Sequence, residues 1–187
     1  KEHFGFRDGI SQPAIIGSGV KGINNDNIKA GEFLMGYENE YHIYPDTALL
    51  MENQGKVDML TDDAEGSGLK DFGRNGTYFV LRQLKEDVDG FWNFLNDKTK
   101  NEDGSLNPDA STKLAAKMMG RWPSGAPLVK HPDKDPGGLS DDNDFNYIDE
   151  DKLGLKCPFG AHIRRANPRD NFEETGPSES LKLTRRH

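Results

Sequence analysis

The chain has 187 residues, of which 33% are hydrophobic and 30% charged, and its formal net charge is −8. This negative balance argues against a nucleic-acid phosphate backbone or an anionic membrane as the main partner. No apolar run approaches the roughly 20 residues that a membrane-spanning helix needs. A single cysteine, Cys157, excludes an intrachain disulfide and a multi-cysteine metal site.

The composition also bounds the architecture. The chain is long enough for one compact domain with its own core, so a single domain over 1–187 is expected. Because 21 glycines and 10 prolines accompany a low hydrophobic fraction, the fold should be rich in loops. The first residues form no signal peptide and the lone thiol indicates a reducing compartment, which together predict a cytoplasmic location.

The N-terminal segment contains the turn Gly5-Phe-Arg-Asp8-Gly9, followed by Ser-Gln-Pro. Asp-Gly between short apolar runs predicts a turn, and the glycines let backbone and small ligands approach closely. From these residues alone, the simpler interpretation of Asp8 is a side chain that bonds its own turn. The glycines at 17–22 match a dinucleotide fingerprint, but the asparagine-rich stretch after them is poor helix material, so we predict a loop.

The middle of the chain predicts one strand and two helices. Residues 77–84 are largely apolar on both faces, which is typical of a central strand. After this strand we predict a first helix over 86–98, because apolar residues recur with helical spacing at Val88, Phe91, Trp92 and Leu95. A second helix opens at Asn107-Pro-Asp and ends at Gly120.

Two loops follow the second helix. In the loop 120–128, Arg121 either faces a cofactor or clamps the loop by bonding backbone carbonyls, and the sequence favours neither. The stretch 131–151 is rich in acids, and oxygen clusters of this kind bind calcium or manganese. Since no calcium-loop motif occurs there, a solvated acidic loop is the preferred interpretation.

The segment Cys157-Pro-Phe-Gly-Ala-His162-Ile-Arg164-Arg165-Ala-Asn-Pro-Arg169 concentrates reactive side chains. A neutral imidazole is a good ligand for a transition metal or haem iron, and guanidinium groups hold carboxylates such as haem propionates. The segment is therefore a candidate wall of an anionic-cofactor pocket. The simpler alternative is a satisfied structural histidine beside arginines on a solvated face.

Taken together, the turn at 5–9, the segment Gly120-Arg-Trp-Pro-Ser-Gly-Ala-Pro-Leu128 and the histidine motif resemble the dye-decolorizing peroxidase family of haem enzymes. The order and wide separation of the three motifs argue against coincidence. In that family the acid of the first motif lies on the distal side of the haem, and the histidine of the third is the proximal iron ligand. The resemblance implies that Asp8 is catalytic and that His162 binds iron, and the candidate haem-binding arginines are Arg121, Arg164 and Arg165.

The resemblance also implies an α+β fold, with a ferredoxin-like antiparallel sheet, packed helices and long loops. Members of the family usually contain two such halves, and this chain resembles the C-terminal haem-binding half, with an incomplete sheet. The family's distal arginine lies in an Arg-Arg-Gly segment, whereas this sequence reads Arg185-Arg-His187. We therefore assign no distal arginine and expect it beyond His187.

The implied function is a haem-dependent peroxidase that reduces hydrogen peroxide and oxidises dyes or phenolic donors. One cysteine cannot form the Cys-x-x-Cys-His attachment, which leaves non-covalent haem b. The expected partners are hydrogen peroxide and a small-molecule electron donor, with a homo-oligomer left open. Two alternatives are a non-catalytic haem-binding protein or inactive fragment, and a calcium- or partner-binding domain whose histidine motif is structural.

Overall fold

The computed structural model describes residues 2–20, 27–52 and 56–171. These residues group into two compact units, one of which joins the N-terminal segment up to Gln12 to the chain from Gln83 onward. The other unit is Pro13–Arg82. Compactness does not test independent folding, so the single domain over 1–187 stays a prediction. Within the described ranges, no helix combines the length and apolarity needed to cross a membrane.

The first unit contains the helices α1 (Val88–Lys98), α2 (Pro108–Met119), α3 (Tyr147–Asp151) and α4 (His162–Ala166). The first two confirm the predicted helices, although α1 begins two residues later than expected. The reason is a cap at Asp87, whose Oδ1 accepts a hydrogen bond from the Gly90 amide at 2.9 Å. In α2, Asn107 caps the start and Gly120 ends the helix with φ 94°.

The stripe predicted on α1 faces a small core. Leu95 is fully buried against Phe6 and Ala115, and Phe91 and Trp92 pack against this cluster. Trp92 Nε1 also donates to the carbonyl of Phe4 at 3.1 Å. Helix α1 therefore anchors the N-terminal segment that carries Asp8.

A larger core lies under α3, α4 and the loop that follows α2. Its buried members come from three parts of the chain that are distant in sequence: Ala116, Trp122, Ala126, Leu128, Val129, Phe145, Tyr147, Cys157 and Ala161. Ile163, the second residue of α4, packs against this cluster. The start of α4 is thus supported by the largest apolar cluster of the described residues.

The second unit contains two short sheets. In one, β1 (Ala14–Ile15) pairs in parallel with β2 (Asn27–Ile28), and in the other, β3 (Leu49–Leu50) pairs antiparallel with β4 (Lys70–Asp71). The helices and small sheets together are compatible with the predicted α+β class. The predicted loop at 17–22 extends past the described residues.

The strand predicted at 77–84 is not formed within the described residues, where no segment pairs with it. Its large apolar side chains are exposed, with Phe79 and Leu81 each at 82%. An apolar pattern favours a strand, but a strand also needs a backbone partner. That partner can lie far away in the sequence and cannot be read from the pattern. The prediction of a buried central strand is therefore wrong for this structure.

Candidate haem-binding site

A cavity of about 450 Å³ in the first unit brings together residues from both ends of the chain. Asp8, Arg121 and His162 all line it, and so do the apolar side chains of Phe4, Phe6, Ile10, Met119 and Ile163. The volume falls within the ~300–1,000 Å³ typical of small-molecule sites. Three of the five predicted site residues therefore share one mostly apolar pocket.

Asp8 lies in an N-terminal segment that the Glu2 carboxylate holds in place. The Glu2 carboxylate accepts hydrogen bonds from the amides of Phe4 at 2.6 Å and Phe6 at 2.5 Å. The Asp8 side chain is exposed, and its Oδ1 accepts from the Gly9 amide at 2.6 Å. The turn-bonding interpretation is thus observed, but it uses one oxygen, and Oδ2 has no hydrogen-bond partner within the described ranges.

His162 is the first residue of α4. Its ring is exposed, and among the described residues it makes no hydrogen bond. The residue after it, Ile163, is held firmly because it packs closely on Gly120. A Cβ added at Gly120 would lie only 2.4 Å from Ile163 Cγ1. A satisfied structural histidine would show a bonded ring, whereas this imidazole is exposed and has no hydrogen-bond partner in the part of the chain that the structure describes.

Arg121 clamps its loop and also lines the cavity. Its Nη1 donates to the carbonyls of Gly125 at 2.8 Å and Asp142 at 2.7 Å. Burial lowers the pKa of Arg121 to about 10, so the guanidinium remains charged at neutral pH. Of the two interpretations left open by the sequence, the clamp is observed, and it leaves a positive charge in the cavity wall.

Arg164 is placed in the interior and is not part of the cavity lining. Its Nη1 forms an ion pair with Asp151 at 3.0 Å and donates to the Cys157 carbonyl at 2.7 Å. Its guanidinium also lies 4.2 Å from the centre of the Tyr147 ring. Burial raises the pKa of the adjacent Cys157 thiol to about 11, so the thiol is protonated at neutral pH.

Arg165 is different from its neighbour. It is exposed on α4, and within the described part of the chain its side chain has no partner. It does not line the cavity itself. Of the two adjacent arginines, Arg165 is the one whose guanidinium is available to an anion.

Sequence reasoning did not single out Arg7 and Asn143. Arg7 lines the cavity and its Nε donates to Asp141 at 2.9 Å. Asn143 is buried and accepts hydrogen bonds from both the N-terminal segment and the histidine motif. Arg7 lies inside the first motif and could have been found there, whereas nothing in the acidic stretch distinguishes Asn143.

The acidic stretch 131–151 gives no support to the calcium alternative. Within the described residues, no group of three or more side chains could hold a metal ion. Asp142 is instead paired with Lys130 at 2.9 Å, and Asp151 is paired with Arg164. These acids balance cations of the protein.

No family model matches the chain. The dye-decolorizing peroxidase of Mycena epipterygia is 35% identical over 184 residues, which is 91% of this chain and 31% of the relative. The multifunctional dye peroxidase DyP2 of an Amycolatopsis species is 32% identical over 182 residues, which is 97% of this chain and 34% of the relative.

Solved structures give the same result. An ancestral D-type dye-decolorizing peroxidase superposes with a TM-score of 0.64 at 31% identity, covering 98% of this chain and 36% of that one. The dye-decolorizing peroxidase of Auricularia auricula-judae superposes with a TM-score of 0.60 at 30% identity, covering 92% of this chain and 35% of that one. The chain therefore spans about a third of the length of these relatives. Over nine-tenths of its own length it is homologous to part of a dye-decolorizing peroxidase, which confirms the resemblance seen in its three motifs.

Proposed function

We propose that this chain is part of a haem-dependent peroxidase that reduces hydrogen peroxide and oxidises dyes or phenolic donors. The observation that carries the proposal is that Asp8 and His162, from opposite ends of the chain, line one cavity. The names of the relatives support a dye as the electron donor. A related peroxidase solved as a complex with 2,6-dimethoxyphenol supports a phenol.

The residues around the cavity fit haem. An imidazole without a hydrogen-bond partner in the described chain is available at His162, and much of the lining is apolar. We therefore propose His162 as the iron ligand and exposed Arg165 as the partner of a propionate. Buried Arg121 contributes positive charge to the wall, and Arg164 supports α4 from the interior. Non-covalent haem b is the proposed form, since the only cysteine, Cys157, is buried.

Bound haem would carry the oxidising equivalents that hydrogen peroxide supplies and pass them to the electron donor. The chain must then move a proton from one oxygen of hydrogen peroxide to the other, so that water can leave. Asp8 is suited to this transfer because its Oδ2 has no partner among the described residues and its side chain is exposed at the cavity. The Gly9 amide holds the other oxygen and so orients the carboxylate.

We also propose that the small sheets and helices belong to a ferredoxin-like arrangement, as the family resemblance implies. The TM-scores of 0.60 and 0.64 with solved relatives support this assignment. A cytoplasmic location and a homo-oligomer stay predictions.

Haem titration of the purified chain, followed by its Soret absorption, tests the ligand assignment. We expect His162→Ala to abolish the ligated spectrum, and the matched variant His131→Ala, which changes a histidine outside the cavity lining, to leave it intact. We expect Asp8→Asn to bind haem normally and to react with peroxide roughly a hundredfold more slowly or worse, since a general acid–base group contributes about 10²–10⁴-fold. A normal spectrum in His162→Ala would remove the proposed site.

The second candidate is a haem-binding protein without catalysis, which the hydrogen bond between Asp8 and the Gly9 amide favours. In that case Asp8 would only hold its turn. Peroxide would then react with the haem-loaded parent and with Asp8→Asn at the same rate, which distinguishes the two candidates.

A further inference from the structure

One amide oxygen joins the three sequence motifs. Asn143 Oδ1 accepts hydrogen bonds from Ser11 Oγ at 2.9 Å, from Arg121 Nη2 at 2.9 Å and from Arg169 Nη2 at 2.6 Å. Ser11 follows Asp8 in the N-terminal segment, and Arg169 ends the histidine motif. The residue that all three contact lies outside every motif.

The two arginines depend on this oxygen. Arg121 is 7% exposed and Arg169 is 5% exposed, so water cannot replace a lost acceptor. Within the described chain, the Nη2 atom of each has no other acceptor. An amide oxygen placed between two guanidinium groups is a charge-assisted acceptor, which makes both bonds stronger than ordinary side-chain bonds.

Further contacts hold the loop around Asn143 to the same segments. Arg7 donates to Asp141, and Arg121 donates to the Asp142 carbonyl at 2.7 Å. Arg169 Nη1 donates to the carbonyls of Asn143 and Phe145. The loop 141–145 is therefore bonded on one side to residues 7–11, which we call the Asp8 segment, and on the other to residues 162–171, which we call the His162 segment.

We propose that Asn143 is a positioning residue that sets the spacing between the Asp8 segment and the His162 segment around the cavity. Its catalytic consequence rests on the proposed function, because the spacing matters for peroxide chemistry only if haem binds. Its structural part stands on the hydrogen bonds alone. Asn143 does not itself line the cavity, so it acts through its hydrogen-bond donors Ser11, Arg121 and Arg169, of which Ser11 and Arg121 are lining residues.

Backbone order parameters from ¹⁵N relaxation test the structural part in the haem-free chain. We expect the amides of residues 7–11 to be rigid in the parent protein. In Asn143→Leu, which keeps the side-chain size and removes the acceptor oxygen, we expect their order parameters to fall below about 0.6. Asn143→Asp keeps an acceptor oxygen and should restore rigidity. The matched control is Asn171→Leu, which removes an amide acceptor from another buried arginine, Arg164, without touching the Asp8 segment.

The catalytic part is read from the haem-loaded chain. We expect Asn143→Leu to keep the haem spectrum set by His162 while the peroxide rate per bound haem falls roughly tenfold to a hundredfold, as for misplacement of a group by about 1 Å. Asn143→Asp should recover most of that rate. If the parent protein takes up no haem, the proposed function is wrong. The order parameters of the haem-free chain then still decide whether Asn143 positions the Asp8 segment.

Two results would overturn the proposal: a rigid 7–11 segment in Asn143→Leu, or the same loss of order in Asn171→Leu. If Asn143→Leu does not fold, Ser11→Ala is tested in its place. Ser11 is exposed, and this substitution removes only one hydrogen-bond donor to Asn143. Ser11→Ala should loosen residues 9–11 and leave α1 and α2 unchanged. Unchanged order at 9–11 would then contradict the proposal.

Discussion

Two apolar stretches of this chain differ sharply in burial. In the loop 121–129, Trp122 is 3% exposed and Leu128 is fully buried, whereas in 77–84 Phe79 is 82% exposed. The loop supplies its own backbone partners, because Trp122 and Ala126 bond across it at 2.9 Å and Gly125 donates back to Trp122. The segment 77–84 has no backbone partner among the described residues. Apolar composition predicts burial only where a stretch can satisfy its backbone.

The largest effect should come from truncating the buried aromatic. Trp122→Ala removes a core side chain and the hydrogen bond from its Nε1 to the His131 carbonyl at 2.7 Å. We expect the free energy of unfolding to fall by about 3–5 kcal/mol. The matched change in the exposed stretch, Leu81→Ala, should alter it by less than about 0.5 kcal/mol. Urea unfolding measures both, and equal losses would refute the contrast.

A glycine at the end of α2 should give the next largest effect. Gly120 has φ 94° and lies against Ile163, so Gly120→Ala adds both backbone strain and a clash beside His162. We expect a loss of roughly 1–3 kcal/mol and weaker haem binding. The control is Gly104→Ala. Gly104 has φ 81° but open space around an added Cβ, so this substitution should lower stability without weakening haem binding. Thermal unfolding and haem titration separate the two contributions.

Alkaline pH should destabilise the core around Cys157. Burial raises the pKa of this thiol from 9.0 to about 11, so the folded state keeps a proton that the unfolded state releases. This contribution is therefore complete below pH 9 and declines as the pH rises towards 11. Over that pH range, we expect the free energy of unfolding of the parent to fall by up to roughly 2 kcal/mol more than that of Cys157→Ala. If the free energies of unfolding of the two proteins change in parallel with pH, this prediction is contradicted.

The smallest effect on folding should come from charging the exposed stretch. Leu81→Glu places a carboxylate where the side chain is already 82% exposed, so stability should change by less than about 0.5 kcal/mol. The exposed apolar surface should nevertheless bind less hydrophobic dye and self-associate less. Dye fluorescence and light scattering check this, and unchanged dye binding would show that another surface is responsible.

The sequence predicted what local interactions decide. Helix α2 was located at both ends because Asn107 and Gly120 act within one turn. The prediction of a strand at 77–84 was wrong because strand pairing depends on backbone groups that are distant in the sequence. At the site, Asp8 and His162 came from the family resemblance, and the structure places both at one cavity. The sequence could not tell that Arg164 is buried and Arg165 exposed, because adjacent arginines differ only in what packs against them.

We propose that His162 presents its imidazole to a haem in the cavity that Asp8 also lines. The most direct measurement is chemical rescue, with haem added to His162→Ala in the presence of free imidazole and the Soret spectrum recorded. We predict that the variant alone lacks the parent spectrum and that imidazole restores it. A parent-like spectrum in His162→Ala without imidazole would contradict the account, because another group would then hold the iron.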